Sequence, residues 1–225
     1  MRAFLALLKK ELLLEKRTKE TLAIMLFLSL LSGTILSFGM QSTFVGEENI
    51  RKLFPVLLWF VCVTTSAVSI GRSHEFELQH SAIEGVILTG VDAAYIFLAK
   101  STSAALLIFM GEICAIAALA VLLNVSLTGI LAPLLFIAAL VVIGYAALAT
   151  IVAGIAATSK LKAMMLPLIL LPLLAPLFFA AVELTAALFS LGRLPYGSVW
   201  LSLLAGLDLL YVALGINLYQ FVIKD

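Results

Sequence analysis

Two carboxylates lie deep in stretches that are otherwise lipid-soluble. Glu112 is twelve residues past Lys100, hence about 18 Å from the inner interface at about 1.5 Å of helical rise per residue. Asp208 is eight residues past Trp200, hence about 12 Å below the outer interface on the same count. In a hydrocarbon core about 30 Å thick the two depths coincide. Neither acid has a Lys, Arg or His at its own level to neutralise it. An acid so placed lines a pathway, shares a proton, or makes a structural hydrogen bond between helices, and sequence leaves all three open. Glu183, counted from Lys162, falls near the outer interface, where an acid is inexpensive.

A different chemistry is concentrated in residues 71–92, GRSHEFELQHSAIEGVILTGVD, the one long polar island in the chain. It carries Arg72, Glu75, Glu77, Glu84 and Asp92, and both histidines, His74 and His80. Glu77 and Glu84 are seven residues apart, on one helical face, with Leu78 and Ile83 beside them as apolar anchors. That is the chemistry of a protein-docking surface, set against the alternative of an ordinary solvated loop.

Other chemistries find little support. Cys62 and Cys114 fall inside apolar runs and read as small buried hydrophobes, so no metal site is expected. A net charge of +1 argues against nucleic acid. No G-x-x-x-x-G-K-[ST] occurs, so any ATP that powers this protein is hydrolysed on another chain, and this one is expected to be non-catalytic. Trp59 reads as a packing residue rather than a platform for a flat ligand.

The elements that position these groups follow from composition. The chain is 225 residues long, 64% hydrophobic and only 12% charged, more apolar surface than a soluble domain of this size could bury. Its apolar runs are each roughly 18 to 31 residues without period-two alternation, which predicts an all-α membrane protein. Six transmembrane helices are expected at about 21–40, 53–70, 93–123, 130–157, 163–180 and 199–219, in a single domain covering 1–225. Residues 2–20 combine Phe4, Leu5, Leu8 and Leu12 with Arg2, Lys9, Lys10, Lys16, Arg17 and Lys19. They read as an interfacial helix or a basic stop-transfer flank, and the run lacks the form of a cleaved signal peptide. Pro55 is expected in the first turn of the second span. Pro167, Pro172 and Pro176 should kink or break the fifth, either as a static kink or as an element that moves. The apolar stretch 181–191 is long enough for a re-entrant turn.

Six spans put both termini on one side. Eleven of the fourteen Lys and Arg share that side; Arg51, Lys52 and Arg193 lie opposite. The positive-inside rule then predicts a multi-pass protein with cytoplasmic termini and a cytoplasmic coupling segment at 71–92. Tyr95 and Tyr219 would mark the inner aromatic belt, Tyr196 and Trp200 the outer one. Lys100 would snorkel to the inner interface.

The spacing of Arg72, Glu77, Glu84 and Lys100, with Leu98-Ala99 before the lysine, resembles the CcmB-type permease of the haem exporter of cytochrome c maturation. The Leu171-Pro172-Leu173 and Pro176-Leu177 stretch and the basic N-terminal helix match that family as well. The resemblance covers nearly the whole chain in span layout. This chain departs from the family pattern at Gly71, Ser81 and Gly90, which bears on the turn geometry of the coupling segment.

The resemblance implies a six-span permease of the type-2 ABC exporter architecture in the bacterial inner membrane. It implies a cytoplasmic ABC ATPase subunit docking at Arg72, Glu77, Leu78, Ile83, Glu84 and Lys100, a haem-handling C subunit and a small one-span D subunit. ATP hydrolysed on the partner would drive haem export or release of the haem-loaded periplasmic chaperone. No histidine lies in or beyond the membrane, so no cofactor is expected on this chain alone, and haem only at the level of the complex. A second copy of the chain is expected around an axis, since six spans rarely enclose a path by themselves. Two alternatives stand beside this reading: a type-2 exporter of a lipid or polysaccharide, and a membrane scaffold for haem delivery that translocates nothing.

Overall fold

A computed structural model describes residues 2–18, 20–42, 46–79, 91–157 and 162–224. Among them there are seven helices and no strands. These are α1 (Arg2–Thr18), α2 (Glu20–Ser42), α3 (Glu47–Gln79), α4 (Ala93–Leu122), α5 (Leu131–Ala157), α6 (Lys162–Leu191) and α7 (Val199–Lys224). Six of them, α2 to α7, are long and apolar enough to cross a bilayer. The fold is therefore the all-α, six-span membrane architecture, with α1 preceding it.

The helix ends have local causes. Asp92 caps α4, its side chain accepting from the Ala94 N–H at 2.9 Å. At the other end Asn124 takes φ 51°, the left-handed conformation, and the Val125 N–H reaches back to Ala120 O at 2.9 Å. That six-to-one bond closes a Schellman turn and delivers the chain into α5 as the partner of an antiparallel hairpin. Gly192, φ 68°, stops α6 in a similar way by donating to Leu188 O at 2.9 Å. Ser198 opens α7, its hydroxyl accepting from Leu201 N–H at 3.2 Å.

The bundle is built around α5, whose apolar segment is 72% buried against 22% for α2 and α7. It packs on α4, α6 and α7, while α3 bridges α4 and α6, and α2 covers α3 and α4. Small residues allow the close approach, with Gly144, Ala146, Ala147, Ala149 and Ala153 all buried along α5. The side chain of Trp59 on α3 is buried against α6, its Nε1–H donating to Thr185 Oγ1 at 2.9 Å.

Three boundaries differ from expectation. The apolar part of α3 covers Glu48–Ala67, but the helix itself starts at Glu47 and runs on to Gln79. Two acids favour its N-terminus and Lys52 bonds Glu48 at 2.7 Å one turn away, so the polar connection before the span is helical too. Pro55 accordingly lies inside α3, not in its first turn. Residues 181–191 continue α6 as helix rather than turning back, and α6 is unbroken across Pro167, Pro172 and Pro176. Finally, Tyr219 is buried with its ring 5.6 Å from Phe97, so it packs the bundle rather than facing headgroups.

Candidate functional site

The C-terminal end of α3 carries the first part of the polar island. Residues 71–79 are helix, so Arg72, Glu77 and Leu78 ride on the same rigid element as the buried Trp59 and Cys62. Ile83 and Glu84, with His80, lie outside the described residues. The docking group is thus brought together only in its first half.

Lys100 sits elsewhere. It is on the buried side of α4, its Nζ 4.0 Å from Glu11 Oε1 of α1, and Glu11 also meets Lys10 at 3.3 Å. Long-range pairing therefore directs this ammonium toward the N-terminal helix. α1 packs along α4 through this region, which fixes it to the bundle instead of leaving it only on lipid.

The two mid-membrane acids both point inward. On α7 the buried positions are Leu204, Asp208, Tyr211, Gly215 and Tyr219, a stripe at helical spacing. On α4 Glu112 belongs to the stripe of Ile108, Gly111, Ala115, Ile116 and Leu119. Asp208 packs against α5 at Gly144. A Cβ built on Gly144 would collide with Asp208 Oδ1 and with the Leu177 side chain. The Tyr145 hydroxyl, on the next residue, is buried without a hydrogen-bond partner. Glu112 Oε2 and both Asp208 carboxyl oxygens are buried without a hydrogen-bond partner.

One helical turn from Asp208, the Tyr211 hydroxyl donates to Leu173 O on α6 at 2.7 Å. Leu173 lies between Pro172 and Pro176, and its carbonyl is next to the Pro172 carbonyl that loses its i→i−4 donor to the Pro176 ring, so the bond ties α7 to the proline segment of α6. Tyr211→Phe is expected to lower the stability of the detergent-solubilised protein by about 1 kcal/mol, the usual net worth of such a bond. Thermal unfolding followed by circular dichroism measures it, and an unchanged midpoint would show that the bond does not support the proline segment.

Glu183 is exposed on the C-terminal half of α6, and Arg51 lies 5.8 Å from the centroid of the Phe189 ring, joining the N-terminal end of α3 to the C-terminal end of α6. Among the described residues no group of three or more His, Cys, Asp or Glu is arranged to hold a metal ion.

The described residues form six membrane-length helices preceded by an N-terminal helix, with the first part of the polar island on the helix that continues the second span. The family model described as CcmB protein matches residues 2–220. The chain belongs to the CcmB protein family. Among curated proteins no sequence matches it. CcmB membership together with the six spans makes the chain a multi-pass membrane transporter subunit, an ABC permease of haem transport and cytochrome c biogenesis.

Sequence reasoning missed Tyr145, Gly144 and Tyr211. The last of these had a signal, since Asp208, Tyr211, Gly215 and Tyr219 recur at three- and four-residue intervals along one face of α7. Tyr145 and Gly144 had none, because α5 is apolar or small on every side.

Proposed function

We propose that this subunit couples ATP hydrolysis on a separate cytoplasmic ABC ATPase to a rearrangement at the outer face, serving haem export or release of the haem-loaded periplasmic chaperone. The observation that carries the reading is the continuity of α3, which spans the membrane and extends through Arg72, Glu77 and Leu78 without a break. A push on the docking segment then acts directly on a membrane helix, with no loop in between to absorb it. The positive-inside distribution supports cytoplasmic termini in the inner membrane. The haem-handling C subunit, the small D subunit and a second copy of this chain complete the complex in this reading. Haem is handled at the level of that complex and ATP on the partner, with the type-2 exporter arrangement around a shared axis.

Charge reversal at the docking face tests it. The Glu77→Lys, Glu84→Lys double variant is expected to reach the membrane in normal amount while recovery of the ATPase subunit on purification falls by at least tenfold. A double variant that still co-purifies with a fully active ATPase would sink the docking assignment.

A further inference from the structure

A cavity of about 350 Å³ lies where helix ends meet, lined by Ser37 and Met40 of α2, Ile50 and Arg51 of α3, and residues 122–126 at the α4–α5 turn. Its walls are held by local bonds. The Ser37 hydroxyl donates to Leu122 O at 2.8 Å, and the Val125 N–H donates to Ala120 O at 2.9 Å across the left-handed Asn124. Met40 and Leu123 are buried, whereas Arg51, Asn124 and Ser126 are exposed. The lining thus pairs buried apolar groups with exposed polar ones.

The charge in this lining has one sign. Among the described residues Arg51 is the only ionisable group that lines the cavity. Its contact with the Phe189 ring is a cation–π contact and takes none of its N–H donors. Glu48, three residues earlier, is bonded to Lys52 at 2.7 Å, and among the described residues no carboxylate pairs with Arg51. Asn124 and Ser126 add an amide and a hydroxyl, groups that donate to oxyanions. A guanidinium with open donors beside such groups suits a phosphate. Position selects the source of that phosphate. The apolar runs of α2 and α4 end at Met40 and Leu122, both in the lining, so the cavity stands where hydrocarbon gives way to headgroups. Phe38 and Val121, next in sequence to lining residues, are 68% and 80% exposed and continue the apolar surface that an acyl chain would cover. About 350 Å³ is at the small end of the range of about 300–1,000 Å³ for ligand pockets, which fits one headgroup.

We propose that this cavity binds the phosphate headgroup of one anionic phospholipid. Arg51 pairs with the phosphate, Asn124 and Ser126 donate to its oxygens, and the apolar part of the lipid lies against Met40 and Leu123. Nothing in the site depends on an ATPase docking at the other end of α3.

Native mass spectrometry of the full-length protein from detergent micelles tests the proposal, with phosphatidylglycerol, phosphatidylcholine of the same chains and inorganic phosphate as probes. Phosphatidylglycerol should be retained about fivefold more than phosphatidylcholine, the worth of one basic residue toward an anionic lipid. Arg51→Gln should bring that ratio to about one, while Arg193→Gln, in the exposed loop after α6, leaves it unchanged. Ser126→Phe keeps the charge but fills the cavity, and should lower phosphatidylglycerol retention about as far as Arg51→Gln does. Equal retention of the two lipids by the unaltered protein overturns the proposal. So does a preference that survives Arg51→Gln or Ser126→Phe, or one that Arg193→Gln lowers just as far, which would mark general attraction to basic residues. Displacement of the lipid by inorganic phosphate would assign the cavity to a free anion and refute the lipid. Arg51 and Ser126 are both exposed, so if one variant fails to fold the other still decides the matter.

Discussion

Gly144→Leu is expected to cost about 3 kcal/mol or more and to leave little folded protein, since overpacking of a tight site typically costs about 1–3 kcal/mol and native stability is only about 5–15. Position 144 is on the central helix, and a Cβ there meets the Asp208 carboxyl on one helix and Leu177 on another. Both neighbours are buried and so have no solvent to swing into. Even Gly144→Ala should lose about 1 kcal/mol net, because the clash outweighs the gain of about 1 kcal/mol that alanine brings to a helix interior. Gly206 on α7 is the control, for nothing lies within 4 Å of a Cβ built there. Gly206→Ala should be neutral or stabilising. Yield of monodisperse protein and the thermal midpoint report all three, and equal behaviour of the two alanine variants would contradict the close approach at Gly144.

Separating α1 from the bundle is the second large effect. Lys100 is 9% exposed and Glu11 is little more accessible, so neutralising either one removes a nearly buried opposite charge from its partner, while Glu11 keeps Lys10 at 3.3 Å. Removing one member of a fully buried pair costs about 3–5 kcal/mol. At 4.0 Å and with residual access to water, this pair sits below that range, and about 1–3 kcal/mol is expected for Glu11→Gln or Lys100→Met alone. The double variant should lose less than the sum, by about 1 kcal/mol or more, which is the signature of direct coupling. Trypsin cleavage after Lys9 and Lys10 should accelerate in each single variant as α1 lifts away. Additive losses would mean that Lys100 and Glu11 act through other neighbours.

The span layout was legible because a bilayer allows few alternatives. Runs such as Ala93–Leu122 and Leu131–Ile155 must be helical to satisfy their backbone in lipid. Which helix forms the centre was not legible, for a physical reason: α4 and α5 have nearly the same mean hydropathy, 2.5 and 2.6, yet 33% and 72% of their apolar segments are buried. Lipid tails are as apolar as leucine, so hydropathy does not separate a lipid-facing position from a core one. Glu112 and Asp208 stood out in the sequence as acids within apolar runs, and both are buried. The neighbour of Asp208 could not be read there, because Gly144 is placed by the rotation of α5 against two other helices. The partner of Lys100 was hidden in the same way, since Glu11 is remote in sequence and only the docking of α1 along α4 brings it near.

At 33 residues, α3 is a rod about 50 Å long. The indole of Trp59 bonded to Thr185 ties it to α6 about 18 Å from its N-terminal end and about 30 Å from Gln79. Nearer that N-terminal end Arg51 lies over the Phe189 ring, a second tie to α6. The two ties lie about 12 Å apart along α3, so this half of the rod is held to α6 at two points.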